Sequence, residues 1–382
     1  MALNITVTLR TLLVDETNVT DNINQVLLPT RSTLAVGLSS LIVGSICLVT
    51  ILGNTAVIYA IVNTNQLKDK VSNIFLVNLS ITDLSNAFCI MLSALFCISL
   101  DLDRVNTIWC NFLCIMNYCL IIVSMMTLAL ISIDRLLSVL YPFKYHDIVT
   151  KGRVVTVIVF TWIQGFIFGI APACQGWVHY DYWEAICAIN WHQEPRSGPI
   201  NYVIAAFALC FVLPAIVMSI SYTVTIRYAR MSFKNIIRSS ASCSKSGENR
   251  VCRKHNNDDN LGLKTITSML VVVAAFFVCL TPFSVTKLIK VLASDTYYVP
   301  PYVNLWAAFF GYLSSMVNPF IYGILRPDFR RAYKKMFHRM MGRRSYHFDK
   351  TTTRLSLSGN NNSKQKRCDY SRSSPTRSQS SD

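Results

Sequence analysis

Seven long stretches of this chain are apolar and almost free of charge, and each approaches or exceeds the roughly 20 residues that carry a helix across a bilayer. They run over Leu34–Val62, Val71–Ser99, Ile108–Ser132, Val154–Ala173, Tyr202–Ile226, Ile266–Lys290 and Val303–Leu325. A backbone in hydrocarbon must satisfy its own hydrogen bonds, so stretches of this length predict helices. The apolar share of 52% against 15% charged residues agrees, being membrane composition.

The formal charge of +16 raises the question of nucleic acid, but its distribution points elsewhere. Basic residues collect in alternate connections: Lys68 and Lys70, Lys144, Lys151 and Arg153, the segment from Arg227 to Lys254, and the tail from Arg326. Acids collect in the others: Asp15, Glu16, Asp101, Asp103, Asp181, Glu184 and Glu194. The positive-inside bias then sets the amino terminus outside and the carboxyl terminus in the cytoplasm, with no nucleic-acid partner expected. The expected organisation is an exposed amino-terminal segment over 1–33, a seven-span unit over 34–341 and a disordered Ser/Thr/Arg-rich tail over 342–382. The first segment has no basic stretch followed by an apolar core, so the first span is expected to act as targeting signal. Asn4-Ile5-Thr6 and Asn18-Val19-Thr20 are glycosylation acceptors on the expected outer side. Beyond the last span, Phe329, Tyr333, Met336 and Phe337 share one helical face and the bases share the other, which predicts a short amphipathic helix on the inner leaflet.

Charges inside spans are costly and therefore informative. Asp134-Arg135 closes the third span at its cytoplasmic edge, where a pair can meet water, and reads as a switch. Asp83 is the acid deep in a span and needs a partner. Lys287 and Lys290 lie on one helical face near the outer end of the sixth span. They either receive an anionic group or, as the preferred reading, snorkel to the outer headgroups. No nucleophile, base and acid fall at one depth, which argues against an enzyme. One buried acid and no inverted repeat argue against a transporter.

One landmark falls in each span: Gly53-Asn54, Leu79 with Asp83, Asp134-Arg135, Trp162, Pro214 with Tyr222, Phe276-x-x-Cys279-x-x-Pro282 and Asn318-Pro319-x-x-Tyr322. In this order they resemble the rhodopsin-like G-protein-coupled receptors across nearly everything from Leu34 to Met341. Trp109-Cys110-Asn111-Phe112, Val139-Leu140-Tyr141-Pro142 and Ile321-Tyr322-Gly323 resemble, within that family, the orphan receptors of primary cilia that restrain Hedgehog signalling through cyclic AMP. The resemblance implies an all-α bundle of seven membrane helices and a plasma-membrane receptor, with the primary cilium as a candidate address. The implied partners are a heterotrimeric G protein, expected to be the stimulatory one that raises cyclic AMP, then arrestin, receptor kinases and an unidentified ligand. A receptor-like scaffold without G-protein output is the alternative.

The resemblance also implies roles. A disulfide is expected between Cys110 and Cys187, against two free thiols; a second bond between Cys97 and Cys174 is the weaker expectation. Asp134, Arg135, Tyr222, Phe276, Pro282, Asn318, Pro319 and Tyr322 form the expected activation set. Asp83 with Asn54, Ser124, Ser314 and Asn318 resembles the family's sodium pocket; a protonated Asp83 in a structural network is the alternative, and sodium is the one cofactor in view. Asn117, Tyr118, Ile121, Phe283, Lys287 and Tyr312 are expected to face one shared cavity. Asn117 stands where amine receptors carry Asp, and Tyr312 where light receptors carry the Schiff-base Lys. Leu280 replaces the usual Trp, and Leu261-Gly262-Leu263-Lys264 offers no acid to restrain Arg135, which predicts ligand-independent signalling. Trp191, His192 and Glu194 are candidates for a lid.

Overall fold

The structure is a computed structural model that describes residues 31–190, 197–243, 270–290 and 300–341. Seven helices are long and apolar enough to cross a membrane: α1 (Thr33–Asn63), α3 (Asn73–Ser99), α4 (Thr107–Leu140), α6 (Lys151–Cys174), α7 (Ser197–Tyr228), α8 (Leu270–Lys290) and α9 (Pro301–Leu325). Three shorter helices join or follow them: α2 (Asn65–Lys68), α5 (Tyr145–Ile148) and α10 (Pro327–Met340). The chain divides into two units, Met1–Phe337 and His338–Asp382; of the second, residues 338–341 are described. The glycosylation acceptors Asn4 and Asn18, the Leu261–Lys264 stretch and the Trp191, His192 and Glu194 group lie outside the described residues.

Local chemistry sets the helix ends. The Ser32 hydroxyl accepts from the Ala35 amide at 3.2 Å, and the Asn106 side chain accepts from Ile108 and Trp109, satisfying first-turn donors of α1 and α4. Thr150 does the same for α6 through Arg153. π-turns interrupt α3 at Ala87–Met91 and α7 at Ala208–Val212. Two connections carry regular structure of their own. The helix of α7 continues through Cys243. After α6, β1 (Val178–Asp181) and β2 (Ile186–Ile189) form an antiparallel hairpin, Val178 opposite Ile189 and Asp181 opposite Ile186. Alternating side chains and Ala185 in a left-handed turn conformation (φ 53°) make this possible.

The bundle packs through small residues and rings. Gly165 and Gly169 on α6 lie against the α4 backbone, where a Cβ on Gly169 would sit 2.6 Å from the Ile115 carbonyl oxygen. Two glycines four apart let helix backbones touch, which replaces the hydrophobic drive that lipid cannot supply. The Trp162 indole donates to Asn78 at 2.9 Å and Asn78 donates to Thr127 at 2.8 Å, linking α6, α3 and α4. A buried cluster around Leu79, Met125, Leu128, Phe276 and Tyr322 fills one end of the bundle. Another, around Met91, Ile98, Leu113, Cys187 and Phe309, fills the other. Leu41, Leu52, Phe160, Ile167, Val278 and Ile324 point outward and exposed, as helices that face hydrocarbon require. Arg326, between α9 and α10, is buried; it reaches Asn73 Oδ1 at 3.4 Å and stacks on Phe329, while Lys70 meets Asp328 at 2.9 Å. The α10 helix thus docks Phe329 inward, and Phe337 on the face expected to be apolar is exposed.

Candidate functional site

At one end of the bundle a polar knot closes around Asp134, which is only 3% exposed. Arg135 donates through Nε to Asp134 Oδ2 at 2.9 Å and through Nη2 to the same oxygen and to Ser72 Oγ, the latter at 2.6 Å. From the loop helix α5, the Tyr145 hydroxyl donates to Asp134 Oδ1 at 2.6 Å and sits 2.7 Å from Ser72 Oγ. Burial first, then the Asp134 charge and its hydrogen bond, push the Tyr145 phenol up to about 12. A buried carboxylate is tolerable because every partner is charged or donates. Ser72 belongs to this knot and no sequence landmark marked it. Tyr222 and Tyr322 are buried nearby, yet Arg135 bonds to neither among the described residues; Tyr322 packs its ring on Phe329 instead. Pro319 lies against Gly53, where a Cβ would meet its Cγ at 2.9 Å. Phe276 and Leu280 share one buried cluster with Met125. Phe143, in the loop between α4 and α5, is 98% exposed.

Midway along the bundle, Asp83 is buried and accepts from Asn318 Nδ2 at 2.9 Å. The serine facing it is Ser315 rather than the expected Ser314, whose hydroxyl turns back to the Gly311 carbonyl at 2.7 Å. Helical geometry explains the correction, since neighbouring residues point about 100° apart. Asn54 donates to the Thr50 and Ser315 carbonyls, and its own buried Oδ1 has no partner. The Asp83 carboxylate and the unpartnered Asn54 amide oxygen are oxygen donors, the ligand type that hard cations take. Among the described residues no three His, Cys, Asp or Glu side chains group as a metal site.

The six expected pocket residues do not share one cavity. Asn117, Ile121, Phe283 and Tyr312 line a cavity of about 40 Å³ that Ser124 and Ser314 also border. Tyr118, Ile121, Phe283 and Lys287 line a second of about 140 Å³, walled further by Met125, Phe211 and Leu280. Asn117 and Tyr118 diverge for the same helical reason as the two serines, and Ile121 with Phe283 forms the partition.

The hairpin covers this end. Cys187 of β2 is bonded to Cys110 of α4, while Cys97 and Cys174 are free. The left-handed Ala185 delivers Glu184 inward, where it is 2% exposed. Lys287 Nζ meets Glu184 Oε2 at 2.5 Å; Lys290 Nζ meets Glu184 Oε1 at 2.6 Å and Asp181 Oδ2 at 3.0 Å. The lysines therefore do not snorkel to headgroups: the desolvated carboxylates hold them. For Asp181, burial works upward, but Lys290 and Lys287 outweigh it and hold the carboxyl below its usual range. Burial pulls the imidazole of His179, on β1, below its usual value. Arg31, also buried, bonds to the Tyr182 carbonyl, stacks on the Tyr182 ring and reaches Asp101 at 3.5 Å.

Seven apolar helices, a disulfide-anchored hairpin over one end and an acid–arginine knot at the other define a heptahelical membrane receptor. The chain belongs to the rhodopsin family of seven-transmembrane receptors, whose family model matches residues 53–322. It is similar to the G-protein coupled receptor 161 of Mus musculus, 28% identical over 302 residues that cover 73% of this chain and 53% of that protein. It is also similar to the histamine H2 receptor of Rattus norvegicus, 27% identical over 330 residues and 84% of each chain. The crystal structure of squid rhodopsin superposes with a TM-score of 0.71 at 22% identity, over 86% of this chain and 91% of that one. The chain spans about half the length of the receptor 161 relatives it matches. Membership makes it a seven-transmembrane receptor, of a family of receptors and not of enzymes.

Proposed function

We propose that this receptor lies in the plasma membrane with its amino terminus outside, engages the stimulatory G protein and raises cyclic AMP, with appreciable activity in the absence of ligand. The observation that carries the reading is the knot at Arg135: among the described residues its one ion-pair partner is its own sequence neighbour Asp134. Among the described residues the restraint is built within α4 and closed by Ser72 and Tyr145, with no bond from Arg135 to α8, so the balance between resting and active arrangements rests on a few hydrogen bonds. Orientation is supported by Lys68, Lys70, Lys144, Lys151 and Arg153 at the knot's end and Asp101, Asp103, Asp181 and Glu184 at the hairpin's end. The exposed Phe143 beside the knot offers an apolar contact for a G protein. Tyr222, Phe276, Pro282, Asn318, Pro319 and Tyr322 serve as the moving set, Asp83, Asn318 and Asn54 as the sodium site, and the two cavities as ligand space. The motif resemblance to receptors of primary cilia adds a ciliary address and the cyclic AMP output to the proposal.

Basal cyclic AMP, measured in cells at titrated surface expression beside Arg135→Ala at matched expression, tests this. A rise that the substitution removes supports a constitutively active stimulatory receptor; an unchanged signal with surface expression verified overturns the coupling assignment and favours a scaffold.

A further inference from the structure

The larger cavity is built as an amphiphile's mould. Its polar side chains gather toward the outer end: Tyr118 is one turn outward of Ile121 and Ile122 on α4, Tyr202 one turn outward of Ala206 on α7, and Lys287 two turns outward of Leu280 on α8, with Ser284 one turn further in than Lys287. Below them the lining passes through Phe207, Cys210 and Phe211 to Met125 with no charged residue.

The charges at the polar level are already balanced. Lys287 and Lys290 face Asp181 and Glu184, two cations against two anions, and His179 beside them is held toward its neutral form by burial. An added carboxylate or ammonium would break this balance in a desolvated setting, where an unpaired charge is costly. The amide of Asn117, where an amine receptor would present an acid, opens on the smaller cavity instead. Ser284, between Leu280 and Lys287, lines the larger cavity with a hydroxyl that makes no hydrogen bond among the described residues. On the hairpin side, Ile189 of β2 is fully buried against Tyr118, Tyr202 and Val203, all three of which line the cavity.

We infer that the larger cavity takes an uncharged, membrane-partitioning molecule with a single hydroxyl or carbonyl head, arriving from the bilayer, its head toward Ser284 and Tyr118 and its apolar body on Met125, Phe211 and Leu280. This deepens the receptor reading by naming the ligand class, and its test does not depend on signalling.

The full chain in lipid nanodiscs is photolabelled with three probes that share one medium-length diazirine alkyl chain and end in an alcohol, a carboxylate or an ammonium. The alcohol is expected to label peptides of α4, α7 and α8 at the cavity, and Ala206→Trp, which fills it, to cut that labelling about tenfold or more. Ile204→Trp, on the exposed face of the same helix, keeps it and controls for folding. In Glu184→Gln, which leaves Lys287 without its counter-charge, the carboxylate probe gains labelling about tenfold. Preferential labelling of the wild type by the carboxylate or the ammonium overturns the inference, as does alcohol labelling that Ala206→Trp leaves unchanged. Labelling as expected without any change in cyclic AMP leaves the ligand class standing and counts against the coupling proposal alone.

Discussion

The Tyr145 hydroxyl donates to Asp134 Oδ1 at 2.6 Å, so a residue of the loop helix closes the restraint that holds Arg135. Tyr145→Phe removes that bond and keeps the ring. Losing a buried hydrogen bond to a charged group costs about 1–3 kcal/mol, here from the resting arrangement. Basal cyclic AMP at matched surface expression is expected to rise about threefold to tenfold, and an unchanged or lower value counts against the restraint.

Gly169→Ala places a methyl where the Ile115 carbonyl oxygen stands 2.6 Å away. Neither backbone can yield without parting α4 from α6. A loss of about 2 kcal/mol or more in stability is expected, read as a lower melting temperature and reduced surface expression. Gly37→Ala, with nothing within 4 Å of its Cβ, is the neutral comparison.

Acidification should loosen the hairpin through His179. Its folded value lies below the 6.5 of an unburied imidazole, so the unfolded state binds the proton first and folded stability falls as pH drops through that value. Asp181, held below the usual carboxyl range, adds its own loss further toward acid. The melting temperature of the purified receptor is expected to fall between about pH 7 and pH 5, with His179→Asn flattening the profile in that window.

Sodium chloride should stabilise the receptor more than choline chloride at equal ionic strength, by about 2 °C or more in melting temperature. Asp83→Asn is expected to abolish the difference. Ser314→Ala is expected to keep it, because that hydroxyl bonds the Gly311 carbonyl. A cation effect that survives Asp83→Asn places the ion elsewhere.

The spans were legible because a bilayer admits so few backbones: runs without charge give helices whatever surrounds them. The Cys110–Cys187 bond and the Asp134-Arg135 pair were legible from the family resemblance of adjacent residues. What escaped depended on facing directions. The choice of Ser315 over Ser314 and the parting of Asn117 from Tyr118 turn on helical phase of a single residue, which the landmarks do not resolve. The lysine clamp escaped because Glu184 and Lys287 are brought together by a left-handed turn at Ala185, where alanine gives no warning. Gly165 and Gly169 did carry a readable signal, two glycines at helical spacing in an apolar run, that the span count passed over.

The contact of α6 with α4 across those glycines has a mechanical meaning. Where one backbone rests on another there is no side chain to swing aside, so α4 and α6 behave as one welded strut. Between α8 and α7, Phe277 meets Phe211 edge to face at 5.9 Å. Rings can pivot about their bonds and trade partners at small cost. The bundle is thus unequal in compliance, a stator of α4 and α6 with a rotor at α8, and the direction of its yielding is set by where the glycines are.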